Sequence, residues 1–176
     1  ATQQTDTLAA MDVLRAAASE VGGDVMSAGG TGNYDVHADH RATTGVTEVQ
    51  AGSYALMDTY SSTLGLPFRQ ALSIVGTVVS THDKWAVADV GLKSLGMDHG
   101  DPTIADHKVW FCSDEHITFA TEKSADATTR APQPAVGTRV RIVPAHVDPT
   151  MAMHEHLWLV RGDEVLDRLP IDLRGW

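Results

Sequence analysis

The sequence predicts an α/β segment over about residues 1–68 followed by an all-β domain over about residues 69–176. Three observations predict this. An apolar helical repeat is followed by two short strand candidates, each running into a polar glycine loop, which is the order of parallel α/β structure. The texture changes near Pro67: from Ala71 onward, runs rich in β-branched and aromatic residues alternate with Gly, Pro and Asp clusters. Finally, 43% hydrophobic and 20% charged residues suit a chain with a packed core.

The elements follow in order. Leu8, Met11, Leu14 and Ala18 recur at helical spacing, predicting a helix over 4–20 that Gly22-Gly23 ends. Asp24–Ser27 is a strand candidate leading into Ala28-Gly29-Gly30-Thr31-Gly32, and Thr47–Ala51 is a second one leading into Gly52-Ser53-Tyr54. Two parallel strands cannot bury a sheet on both faces. The expectation is that another chain completes this segment or that the chain is a fragment of a longer protein. In the second part, strands are expected over 72–80, 85–89, 109–112, 117–121, 139–143, 157–161 and 164–170, with no helix. Val136–Val143 alternates apolar and polar residues, Arg161–Glu164 reads as a hairpin turn, and the Ala/Thr/Pro-rich stretch Glu122–Pro134 reads as a loop.

Composition narrows the function classes. A formal charge of −10 argues against nucleic acid and anionic membranes, which basic patches bind. The single cysteine, Cys112, allows no internal disulfide and fits a reducing compartment. It sits in Trp110-Phe111-Cys112, where a packed thiol is the favoured reading over a nucleophile. No apolar run reaches the roughly 18 residues of a membrane span, and no signal peptide opens the chain, so a cytoplasmic protein is expected.

Four stretches carry chemistry. Ser27–Tyr34 places glycines, Ser and Thr after a strand, where backbone N–H groups can turn toward a phosphate. It is neither the dinucleotide fingerprint nor the P-loop, and on spacing alone a plain tight turn is an equal reading. Glu48–Tyr54 offers Gln50 to a heterocycle nitrogen and Gly52 and Ser53 to a phosphate. An ordinary strand exit is the competing reading. His146-Val147-Asp148, read as extended chain, would project both side chains to one side and present a mixed N/O pair to a divalent ion. A solvated surface pair is the commoner meaning of that spacing, and His154 and His156 lie close enough in sequence to add a ligand, with solvated side chains an equal reading. Met97-Asp98-His99-Gly100 reads as a turn or as a charged pair facing a pocket.

In this order the stretches resemble the D-threonine aldolase family. They are Ser27–Tyr34, Val46–Tyr54 with Met57-Asp58, Asp89–Gly100, Ser113-Asp114-Glu115-His116 and Val143–Thr150. That family includes D-serine dehydratases and 3-hydroxy-D-aspartate aldolases and dehydratases, relatives of alanine racemase. The resemblance covers about residues 20–176. It implies the C-terminal part of a (β/α)8 barrel that binds pyridoxal phosphate, followed by a β-domain with a metal site. It implies that Ser27, Gly29, Gly30 and Thr31, with Gly52, Ser53 and Tyr54, lie at the cofactor phosphate, and that Gln50 lies near the pyridine ring. His146 and Asp148 would hold the metal, and Asp98 and His99 would face the substrate. The metal would be Mn²⁺ or Mg²⁺, with Zn²⁺ the softer alternative. Dehydratases acting on D-serine tend to carry cysteine where Asp148 stands, so aspartate favours the harder ions and the aldolase branch.

The implied reaction is retro-aldol cleavage of D-threonine to glycine and acetaldehyde. The alternatives are dehydration of a D-3-hydroxy amino acid and a non-catalytic metal- or phosphate-binding module. The implied partners are a small D-amino acid, the missing N-terminal half and a further copy in a homo-oligomer. The family's Schiff-base lysine has no counterpart, because the lysines here are Lys84, Lys93, Lys108 and Lys123. No covalent catalytic residue is therefore expected in this chain, and the isolated chain is expected to be inactive.

Overall fold

The computed structural model describes residues 2–123 and 131–174. Helix α1 spans Thr2–Val21. The stripe Leu8, Met11, Leu14 and Ala18 is its half-buried face, while Val13 and Val21 stand exposed. Gly22 and Gly23 follow with φ of 77° and 119°, a left-handed exit that residues with a Cβ rarely take.

The two strands expected next contract to one parallel bridge, Ser27–Glu48. Ala28 N–H donates to Glu48 O at 3.0 Å and Thr47 N–H to Met26 O at 2.9 Å. With no further strand beside either segment among the described residues, the ladder does not extend, as expected for so small a parallel pair. Between them lie α2 (Tyr34–Asp39) and α3 (Arg41–Thr44), which hydrophobic periodicity had not revealed because each is two turns or shorter. A 3-10 turn at Ser53–Ala55 and α4 (Thr59–Ser62) carry the chain toward the β part.

The β part is a closed antiparallel barrel. Its strands are β1 (Ile74–Thr81), β2 (Ala86–Ala88), β3 (Thr103–Ile104), β4 (His107–Cys112), β5 (Ile117–Thr121) and β6 (Arg139–Val143). Around the barrel they run β1-β2-β5-β4-β3-β6, with β6 pairing back onto β1. Each strand expected here is present, with ends shifted by at most two residues. The two-residue β3 was not foreseen, yet it closes the ring by pairing with both β4 and β6. Closure leaves no free sheet edge. On β6 the alternation holds: Val140 and Ile142 point inward, Arg139 and Arg141 outward. The core comprises Val78, Ala86, Ala88, Val90, Leu95, Ile104, Ile117, Phe119, Val140 and Ile142.

A helix and a two-stranded hairpin follow the barrel. Helix α5, Val147–Ala152, contradicts the expectation that the second part has no helix. Its signal is Asp148-Pro149: proline is tolerated in a first turn, where N–H groups have no intrahelical partner. Strands β7 (His156–Arg161) and β8 (Glu164–Pro170) form a separate hairpin, turning at Gly162 where expected. Of the expected loop over 122–134, residues 124–130 lie outside the described residues. Among the described residues no helix is long and apolar enough to cross a membrane.

Candidate metal and anion site

The metal side is built where the barrel's last strand meets α5. Asp58 sets that junction. One carboxylate oxygen accepts Ser61 N–H at 2.7 Å, capping α4, and the other accepts Val147 N–H at 3.1 Å, at the start of α5. Asp58 is 1% exposed, so both backbone donors are satisfied inside the protein by one side chain. Sequence reading had noted Asp58 only as part of a motif. The Asp-x-x-Ser spacing before a short helix was its capping signal. A second tie is Thr150, whose hydroxyl donates to His146 O at 2.7 Å and accepts Gly96 N–H at 2.9 Å. Gly96 and His146 also form an antiparallel bridge. A Cβ on Gly96 would lie 2.5 Å from Pro149 Cγ, so only glycine lets the segment before Asp98 approach α5.

This junction brings Asp98, His99, His146 and Asp148 together, joining two stretches that the sequence had offered separately. His146 Nδ1 lies 2.6 Å from Asp98 Oδ2, and His146 Nε2 lies 3.2 Å from Asp148 Oδ2. His99 stacks on His146 with ring centroids 4.0 Å apart and 13° between planes, and Tyr60 packs against His99 with ring centroids 4.6 Å apart. The extended reading of His146-Val147-Asp148 is corrected: His146 is extended (φ −142°, ψ 128°), but Asp148 lies in the first turn of α5. The two side chains meet through a helix start and not through strand pleating. Asp98 and His99 also make the expected turn, with Gly100 N–H donating to Met97 O at 3.2 Å.

The hydrogen bond from His146 holds the Asp98 carboxyl below the usual aspartate range, burial opposing it only in part. His154 and His156 add nothing to this cluster. His154 Nε2 is tied to Ser94 O at 2.7 Å, and the His156 ring faces Arg168 at 3.0 Å. Burial pushes the Cys112 thiol up to about 11, in keeping with a packed cysteine and not a nucleophile.

The donor chemistry fits a divalent ion. Asp98, His99 and His146 present ligand atoms within 4.8 Å of one another. The tighter pair for sharing one ion is His146 Nε2 with Asp148 Oδ2, because bonds of about 2.1 Å at right angles separate two ligand atoms by about 3 Å. His146 Nδ1, by contrast, is engaged by Asp98 at hydrogen-bond distance.

The anion side is built from the two loops. Gln50 Nε2 donates to Ser27 Oγ at 3.0 Å, and Ser27 Oγ donates to Glu48 Oε1 at 2.5 Å. Thr31, 6% exposed, accepts Tyr54 N–H at 3.0 Å, and Gly30 N–H is taken by Asn33 Oδ1 at 2.9 Å. Gly29 has φ 83°, and a Cβ there would strike His37 at 2.4 Å. Gly52 and Ser53 open the 3-10 turn with free space beside Gly52. The loops thus meet side by side, with small residues at the junction. The small residues leave room for an anion to approach the loops, while the Gly30 and Tyr54 N–H groups are engaged within them. A cavity of about 590 Å³ lies on the other face of the second strand segment, lined by Tyr34, His37, Thr47, Val49, Tyr54 and Phe68 among others. His37, which the sequence had not singled out, is buried there with neither ring nitrogen hydrogen-bonded among the described residues.

Residues 71–160, just over half the chain, match the family model described as "Putative serine dehydratase domain". The chain belongs to this family. It is 37% identical over 163 residues to a D-threonine aldolase of Arthrobacter sp, a match covering 87% of this chain and 40% of that protein. Among solved structures it is similar to D-threonine aldolase from Filomicrobium marinum, with TM-score 0.80 and 30% identity, covering 99% of this chain and 49% of that one. It is also similar to D-threo-3-hydroxyaspartate dehydratase from Delftia sp. HT23, with TM-score 0.64 and 26% identity, covering 98% of this chain and 50% of that one. A cysteine-to-alanine variant of a D-threo-3-hydroxyaspartate dehydratase is a further match, in a metal-free form. The chain therefore spans about two fifths to half the length of these relatives.

Proposed function

We propose that this chain supplies the metal site and the phosphate loops of a lyase acting on D-3-hydroxy amino acids, dependent on pyridoxal phosphate and a divalent metal. The preferred reaction is retro-aldol cleavage of D-threonine to glycine and acetaldehyde. The observation that carries the reading is the 3.2 Å approach of His146 Nε2 to Asp148 Oδ2, a spacing suited to one shared ion. Residues 1–68 would be the C-terminal part of the cofactor-binding barrel and residues 69–176 the β-domain.

In this reading His146 and Asp148 hold Mn²⁺ or Mg²⁺, and the bound ion supplies Lewis acidity that lowers the pKa of the substrate's 3-hydroxyl. Pyridoxal phosphate supplies the electron sink for the substrate's α-carbon. Ser27, Gly29, Gly30, Thr31, Gly52, Ser53 and Tyr54 surround the cofactor phosphate, and Gln50 lies beside the ring. Asp98 and His99 form the wall next to the ion. His146 and Asp148 would be the protein's two ligands, and a site with so few protein ligands would be open to the substrate hydroxyl. None of Lys84, Lys93, Lys108 and Lys123 lies in the segment carrying the anion loops, and Lys93 is held by Glu115 at 2.6 Å. The cofactor's lysine is accordingly assigned to the rest of the enzyme, and the working unit to a cytoplasmic homo-oligomer.

Likeness to a dehydratase favours a second reading, loss of the 3-hydroxyl as water. Product analysis separates the two. D-threonine is supplied to the enzyme containing this chain, with pyridoxal phosphate and Mn²⁺. Glycine with acetaldehyde is the expected result, 2-oxobutanoate would replace the aldolase reading with the dehydratase one, and neither product would remove both.

A further inference from the structure

The Asp98–His146 contact has a chemical consequence. An ionised carboxylate only accepts hydrogen bonds. At 2.6 Å from Asp98 Oδ2, His146 Nδ1 must therefore carry the proton. In the neutral ring, Nε2 is then a bare lone pair, and it faces the Asp148 carboxylate at 3.2 Å. A lone pair facing an anion is repulsive unless a positive charge lies between them or on the ring. Asp98 itself is half-exposed, as is His99, so the pair is open to an ion arriving from solvent.

We propose that Asp98 is a positioning residue: it fixes His146 in the Nδ1–H tautomer and turns Nε2 toward a divalent cation shared with Asp148. This rests on the reading of His146 and Asp148 as ligands and goes beyond it, moving Asp98 from the substrate wall to the support of a ligand. Metal-bound histidines commonly donate their second ring N–H to a carboxylate, which orients the ring and raises ligand basicity. The geometry of Asp98, His146 and Asp148 has that order. The stacking of His99 on His146 at 4.0 Å limits rotation of the ring, so tautomer and orientation are held by two different neighbours. His99 Nε2 lies 3.8 Å from the same Asp98 oxygen, too far to displace His146 from it.

The test uses Mn²⁺ alone as probe, titrated into the full 176-residue chain and into Asp98→Ala, Asp98→Asn, His146→Ala and Asp148→Ala, with thermal melts confirming the fold of each. ¹⁵N-resolved imidazole spectra without metal give the tautomer of His146. The expected result is a ~10–100-fold weaker Mn²⁺ affinity in Asp98→Ala. Asn can still accept the Nδ1 proton through its carbonyl oxygen, so Asp98→Asn should recover part of the loss. The spectra should show the Nδ1–H form in the native chain and a mixture in Asp98→Ala. Native affinity in Asp98→Ala, with binding lost in His146→Ala and Asp148→Ala, would overturn the role of Asp98 and leave the metal site intact. Loss in both Asp98→Ala and Asp98→Asn as complete as in His146→Ala would make Asp98 a ligand and also overturn the proposal. Mn²⁺ affinity unchanged by His146→Ala and Asp148→Ala would remove the metal reading instead. The tautomer would then decide alone, and an unaltered Nδ1–H form in Asp98→Ala would overturn the positioning role.

Discussion

The barrel and the segment before it hold their halves of the candidate site in different ways. The barrel closes on itself, and its buried core residues fall between Val78 and Ile142, with Ile74 packed against them. The metal side inherits that rigidity, since His146 follows β6 and its neighbours are tied by Asp58, Gly96 and Thr150. The leading segment has one parallel bridge and leaves Val13, Val21, Val25 and Tyr54 exposed. Its loops are held mainly by side-chain hydrogen bonds, Gln50 to Ser27 and Tyr54 to Thr31. The end of β6 and the side-chain ties of Asp58 and Thr150 hold the candidate metal residues, and bonds between the two loops hold the candidate anion residues.

That contrast can be broken or sharpened by measurement. The largest effect is expected inside the barrel. Phe119 is fully buried on strand β5, and Phe119→Ala should cost ~3–5 kcal/mol in denaturant unfolding. A small change there would contradict a self-contained core. At the junction, Asp58→Ala leaves the Ser61 and Val147 N–H groups without acceptors and should cost roughly 2–4 kcal/mol. It should weaken Mn²⁺ binding as well, because α5 carries Asp148. Gly96→Ala drives a Cβ into the Pro149 ring, and about 1–3 kcal/mol of destabilisation is expected, again with weaker metal binding. Unfolding and metal titration on the same variants check both.

The smallest effect is electrostatic. Asp98 should titrate below the ordinary 3.8, as read from carboxyl shifts in an acid titration. Its folded pKa lies below the unfolded one, so its contribution to stability is present above the unfolded value. That contribution is lost as pH falls through the folded value. Replacing His146 should move the Asp98 midpoint back up. A midpoint at or above the ordinary value with His146 in place would contradict the hydrogen bond.

Legibility in the sequence divided along the same line. Strands such as Ile117–Thr121, Arg139–Val143 and Glu164–Pro170 were read to the residue, because β-branched runs between turn residues carry their own signal. The short helices carried no apolar period, α4 and α5 showing only the cap signals Asp58-x-x-Ser61 and Asp148-Pro149, and the two-residue β3 carried none. His146 and Asp148 were legible as a pair, but their geometry was not, since it depends on a helix start at Asp148-Pro149. The meeting of Asp98 with His146 spans 48 positions and depends on Gly96 and Thr150, which no local pattern shows. The strand candidates of the leading segment were over-read, because apolar runs alone do not form a ladder without neighbours.

The measurement that bears most directly on the central claim is Mn²⁺ binding to the native chain and to Asp148→Ala, followed by titration calorimetry. The account predicts one ion bound per chain and a sharp loss of affinity in the variant. Equal affinity in the two proteins, or no binding by the native chain, would contradict it.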